Sequence, residues 1–161
     1  MSHFQPGDHV VCPPHGAGTI AGIEERDGTT YLTINLDLGE MTLMLPEQVA
    51  LDRGLRTVVG PTRAKKLLTT IKGDGAEMPD NHQHRARIVQ EKTQTGDAMD
   101  LAELVRDLVG RTSEGAKLSA TEATGLEAAR RRLASELRYS MDVSPDEAME
   151  IIDKAAGWGD D

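Results

Sequence analysis

The chain has 161 residues and a formal net charge of −9, enough length for one ordinary domain or two small ones with modest cores. Aromatic residues make up 2% of it, namely Phe4, Tyr31, Tyr139 and Trp158, so any core must be assembled from Leu, Val, Ile, Met and Ala. A single cysteine, Cys12, excludes an intramolecular disulfide, no apolar run approaches the ~20 residues that span a bilayer, and residues 1–8 lack the basic-then-apolar form of a signal peptide; a cytoplasmic protein is expected.

The first 45 residues read as strands. Pro6-Gly7 turns the backbone into the β-branched run His9 to Cys12, Pro13 and Pro14 end it, and Gly16 and Gly18 let it re-enter an extended run. Further extended runs are expected at 18–25, 29–36 and 41–45. Asp27-Gly28 is the hairpin signal between two of them, and Leu38 to Glu40 is a second turn. Short antiparallel strands with tight turns predict a small SH3-like or Tudor-like β-barrel. Pro46-Glu47 opens a short helical turn, residues 54–59 supply a closing strand, and Pro61 begins a helix with Ala64, Leu67, Leu68 and Ile71 on one side.

From residue 73 the periodicity changes. Residues 71–79 hold glycines, a proline and no period, and are read as a connection. Asp80 is expected to cap a helix beginning at Asn81, and Gly96-Asp97 to end it and cap the next. Leu101, Leu104, Val105, Leu108 and Val109 then follow the spacing of a buried helical stripe. Ser119 to Glu122 predicts a capping box before a helix with Leu126, Ala129, Leu133 and Leu137 inward. Ser144 to Glu147 predicts another, before Ala148, Ile151 and Ile152. Trp158 either docks on this bundle or anchors a partner, and the last five residues are expected to fray. The expected division is a barrel with its closing helix over 1–72, a linker over 73–80, and an all-α bundle with an acidic tail over 81–161.

Charge follows the same division. Residues 1–72 carry 7 basic and 8 acidic residues, and residues 73–161 carry 11 and 19. The negative total opposes general nucleic-acid binding. Between 81 and 92, however, Arg85, Arg87 and Lys92 face only Glu91, with His82 and His84 beside them, so any anion-binding surface is local.

The pattern P-G-D-x-V-V-x-P-x-H-G-x-G over Pro6 to Gly18, with I-E-x-R ending at Arg26, resembles the amino-terminal domain of the CarD/CdnL bacterial transcription regulators, a domain shared with transcription-repair coupling factors. Gly54 to Gly60, Gly96 to Leu108, and Lys117 to Ser119 with the helix that follows extend the resemblance over most of residues 5–140. It implies a non-enzymatic regulator. Its barrel would grip the β subunit of RNA polymerase, and its helices would touch promoter DNA at the upstream edge of the bubble, modulating open-complex stability. On the barrel, the resemblance places Arg26 at the polymerase contact. Met44, just before Leu45-Pro46, stands where relatives carry a basic residue, and Pro46 belongs to the same contact. On the helices it places His82 where relatives carry a wedging tryptophan, with His84, Arg85, Arg87 and Lys92 following as phosphate contacts. Arg131, which points away from the Leu133 stripe, is a further candidate. No cofactor or membrane is implied, and a monomer is expected.

The residues also admit a plainer reading, a protein-only adaptor whose Tudor-like barrel and acidic bundle bind proteins and no DNA. His9, Cys12 and His15 are three apart but lie in a strand and turn where their side chains do not converge, and no second ligand pair follows, so no metal site is expected. Gly16 and Gly18 lack the strand-to-helix setting of a nucleotide loop.

Overall fold

The computed structural model describes residues 2–13 and 15–159; Pro14, expected to end the first strand, and Asp160 and Asp161 of the expected acidic tail lie outside them. Five strands, β1 (His9–Cys12), β2 (Gly16–Arg26), β3 (Thr29–Leu36), β4 (Thr42–Pro46) and β5 (Arg56–Thr57), form one antiparallel sheet in the order β4-β3-β2-β1-β5. The sheet is barrel-like but does not close: among the described residues β4 pairs only with β3, which leaves one of its edges without a strand partner. Asp27 and Gly28 both take positive φ, 50° and 80°, the turn whose twist matches that of the flanking strands. A bulge between Ile20 and Gly22 resets the register of β2 against β3. Inward residues Val10, Ile20, Leu32, Ile34 and Leu36 join Phe4, Ala50 of α1 (Glu47–Asp52) and Leu55 in one core.

A second core belongs to the helices α2 (Pro61–Lys72), α3 (His82–Thr95), α4 (Ala98–Ser113), α5 (Ala120–Met141) and α6 (Pro145–Ala156). Asp97 caps α4 by accepting from the amides of Met99 and Asp100, Ser119 caps α5, and Ser144 with Glu147 completes the expected capping box of α6. Trp158 packs against this core, with the Arg130 guanidinium 5.8 Å from its ring centre. Packing places α2 differently from the expected boundary at 72. Ala64, Leu67 and Ile71 are buried in the helical core, where α2 lies against α4 and α6. The stripe was legible, but a stripe says only that a face is buried and not against what.

α5 joins the two cores. Leu126, Ala129, Leu133 and Leu137 face the helices, while Ser135, Glu136, Tyr139 and Ser140 face the sheet. The Ala17 amide donates to the Ser135 hydroxyl at 3.1 Å. Arg56 donates both terminal nitrogens to Glu136 at 2.7 and 2.9 Å, and the Val59 amide donates to the same carboxylate at 2.7 Å. The Tyr139 hydroxyl donates to Asp37 at 2.5 Å, and the His9 ring stacks on Tyr139 at 3.9 Å. Because α5 is covered on two sides, five consecutive residues, Leu133 to Leu137, are buried, a pattern no one-sided amphipathic helix produces.

Candidate functional site

The cross-strand register gathers the three sheet residues. Arg26 lies opposite Thr29, Glu24 opposite Tyr31, Tyr31 opposite Pro46, and Thr33 opposite Met44. Side chains alternate along a strand, so Arg26, Met44 and Pro46 share the face turned away from Leu32, Ile34 and the core. Arg26 pairs with Glu24 at 3.1 Å, and both side chains are more than half exposed. Met44 is 58% exposed, and Met41 just before β4 and Val49 on α1 just after it are also exposed; among the described residues these three are the large apolar side chains left in water. They flank the edge strand β4, whose outer hydrogen-bonding groups have no strand partner. Apolar side chains around an unpaired edge are what strand addition from a partner sheet requires.

The start of α3 is built differently from expectation. Asn81, not Asp80, is the cap: its side chain accepts from the His84 amide at 3.0 Å, and the helix begins at His82. His82, His84 and Arg87 are exposed, and Arg87 has no ion-pair partner among the described residues. Arg85, expected to hold phosphate, is occupied inside the protein. It donates to the carbonyls of Pro79 and Asp80 at 2.9 and 2.7 Å and lies 3.5 Å from Glu122, with 12% of its side chain exposed. Lys92 faces Glu103 at 4.0 Å. Arg131 is exposed but belongs to another region, a cleft it lines with Asp37 and Asp146. Of the expected DNA residues, the structure therefore brings together His82, His84 and Arg87, and makes Arg85 their support.

That support is a buried carboxylate between two arginines. Glu122 is fully enclosed, 3.5 Å from Arg85 and 3.1 Å from Arg111. Its place at the third position of α5 was expected to complete a capping box; Ser119 accepts from the Glu122 amide at 3.2 Å, and the carboxylate also faces Arg85 of α3 and Arg111 of α4. Burial alone would raise its pKa, but Ser119 and the charges of Arg111 and Arg85 outweigh burial and hold the carboxyl below its ordinary range. One turn along α5, Gly125 lets α3 approach: a Cβ there would stand 2.2 Å from Val89 Cγ1. Arg132 closes the seam by donating to the carbonyl of Thr93 at 2.7 Å. Arg130, by contrast, is spent on Glu127 and Asp153.

Two features escaped the sequence reading. The exposure of Met41 and Val49 is seen only once β4 is known to be an edge. The second feature was available as a count: from Arg53 to Gly73 the chain has six cations, Arg53, Arg56, Arg63, Lys65, Lys66 and Lys72, and no Asp or Glu. Among the described residues no group of three or more His, Cys, Asp or Glu side chains is placed to hold a metal. His9 instead stacks on Tyr139, and burial pushes the Cys12 thiol up to about 11, leaving it protonated at neutral pH. Among the described residues no helix is long and apolar enough to cross a membrane.

An open-edged, barrel-like sheet is fixed to a helical unit through α5. Residues 4–59 match the family model described as the CarD-like/TRCF RID domain, and residues 66–153 match that described as the CarD C-terminal domain; the gap between the matches spans the start of α2. The chain belongs to the CarD family of transcription-related proteins. It is 33% identical over 138 residues, 83% of its own length and 90% of the relative's, to the Bacillus subtilis (strain 168) protein named "Putative transcription factor YdeB".

Proposed function

We propose that the chain is a transcription regulator acting on RNA polymerase as a non-catalytic, cytoplasmic monomer. Its sheet docks on the β subunit through β4 and the outer face bearing Arg26, Met44 and Pro46. The start of α3 meets promoter DNA near the upstream edge of the bubble and alters the lifetime of the open complex. The observation that carries this reading is the exposure of Met44 on the edge strand β4, with Met41 and Val49 exposed just before and just after that strand in the chain, in the part of the chain that matches the RID domain.

At the DNA end, His82 is an exposed first-turn residue, smaller and more polar than an indole, so it contacts the backbone without wedging deeply between bases. His82→Trp should lengthen the open-complex half-life, and Arg87→Ala should shorten it, with neither variant changing the melting temperature by more than about 2 °C, as expected for surface positions. Half-life is read from competitor-challenged promoter complexes of polymerase with each variant. Equal half-lives for wild type and both variants would remove the DNA role and leave a protein-only adaptor.

A further inference from the structure

We propose that the outer face of α2 is a second DNA contact, a phosphate-backbone surface of Arg63, Lys65 and Lys66, with Thr62 and Thr69 between them. The proposal rests on the reading of the chain as a DNA-contacting regulator and adds to it a surface distinct from the start of α3.

Four observations lead to it. First, the segment from Arg53 to Gly73 has no carboxylate in a chain of net charge −9, so α2 itself contributes only positive charge to its exposed face. Second, the cations are free. Arg63, Lys65, Lys66 and Lys72 are exposed and make no ion pair among the described residues, whereas Arg56, Arg85, Arg106, Arg111 and Arg130 are all paired with carboxylates. Third, the face is fixed. Ala64, Leu67 and Ile71 are buried beneath it, so the cations stand on a rigid helix. Fourth, the composition of the face selects the partner. Thr62, Arg63, Lys65, Lys66, Thr69 and Thr70 line an open trough, closed at one side by Met99. The cores of protein interfaces are rich in aromatic residues and poor in lysine, while backbone phosphates are held by Lys, Arg and threonine hydroxyls. Charge complementarity thus points to a polyanion. The need for one is local too: with Arg85 turned inward, Arg87 is the unpaired guanidinium left at the start of α3.

The test compares two double variants that lose the same charge, Lys65→Gln with Lys66→Gln on α2, and Lys117→Gln with Lys154→Gln elsewhere. All four positions are exposed, and Gln is well tolerated in helices. Affinity for a short duplex is measured by fluorescence anisotropy across a salt series, and core-polymerase binding is measured in parallel. The α2 pair should weaken duplex binding about tenfold near 0.1 M salt and reduce the slope of log affinity against log salt by about 2, at ~0.9 per phosphate contact; the control pair should leave both unchanged. If the α2 pair behaves as the control while Arg87→Ala still weakens DNA binding, α2 is only a solvated face and the inference is wrong, with the reading of α3 intact. If the α2 pair spares DNA but weakens polymerase binding, the occupant is an acidic protein surface and the inference is again wrong. If the wild-type chain binds no duplex at low salt, the inference and the DNA reading fall together.

Discussion

Glu136→Ala should lower the melting temperature by about 5–10 °C. The carboxylate is 3% exposed and accepts three hydrogen bonds, two from Arg56 and one from the Val59 amide. Alanine leaves that amide unpaired and leaves Arg56 with only the carbonyls of Thr57 and Gly96. Removing one partner of a buried pair costs ~3–5 kcal/mol. Arg56 keeps 30% of its side chain in water and recovers some hydration, so about 2–3 kcal/mol is expected. A chain of this size loses ~2–4 °C per kcal/mol. Arg56→Met should cost less, because the remaining Glu136 keeps its hydrogen bond from the Val59 amide. The double variant should cost less than the sum of the two. Since this pair ties β5 to α5, loosening it should shorten open complexes more than it weakens polymerase binding. A melting curve superimposable on that of wild type would show that the joint is held elsewhere.

Glu122→Ala should cost still more, about 3–5 kcal/mol, the full range for a broken buried pair. Glu122 is fully enclosed, and Arg85 and Arg111 keep only 12% and 20% of their side chains in water. Its loss leaves two cations uncompensated and loosens α3, which is also held by Val89, by the Arg132 bond to Thr93 and by Lys92 facing Glu103. Melting should fall by about 10 °C or more, and DNA contact should fall with it, since Arg85 would no longer fix the turn before His82. Acid titration supplies an independent check. The folded carboxyl titrates below its ordinary value of 4.5. Its contribution is therefore complete above about pH 4.5 and lost as pH falls through the lower folded value. The difference in melting temperature between wild type and Glu122→Gln should hold steady from pH 7 to about pH 5 and shrink below that. A difference that grows toward acid would mean that Glu122 is protonated in the fold.

Both effects rest on partners that chain order conceals. Glu136 meets Arg56 across 80 positions, and Glu122 meets Arg85 across 37; a sequence shows the charges but not which of them are spent on each other. Arg85 and Arg87 looked equivalent, and only packing separates the buried guanidinium from the free one. Local signals fared better because their causes are local. Asp27-Gly28 made its hairpin, and Asp97, Ser119 and Ser144 capped their helices. Asp80 and Asn81 are adjacent good caps, and the sequence alone could not choose between them. The cations of α2 are visible in the sequence, but over residues 1–72 they are offset by acidic residues such as Glu24, Glu25 and Asp27 of the β2–β3 hairpin. The allegiance of α2 also decides how function can be dissected. A fragment ending at residue 72 would expose Leu67 and Ile71, so whole-chain variants are the sound tools.

The central claim is that this chain acts by holding RNA polymerase through the outer face of its sheet. The most direct measurement is the affinity of the purified full chain for core RNA polymerase without DNA, compared with that of Arg26→Glu. Arg26 is exposed and, among the described residues, pairs only with Glu24 on the same strand, so the variant should melt as wild type does. Retention of the wild-type chain by core polymerase, clearly weakened in Arg26→Glu, is the predicted result. A wild-type chain that does not bind core polymerase would contradict the account.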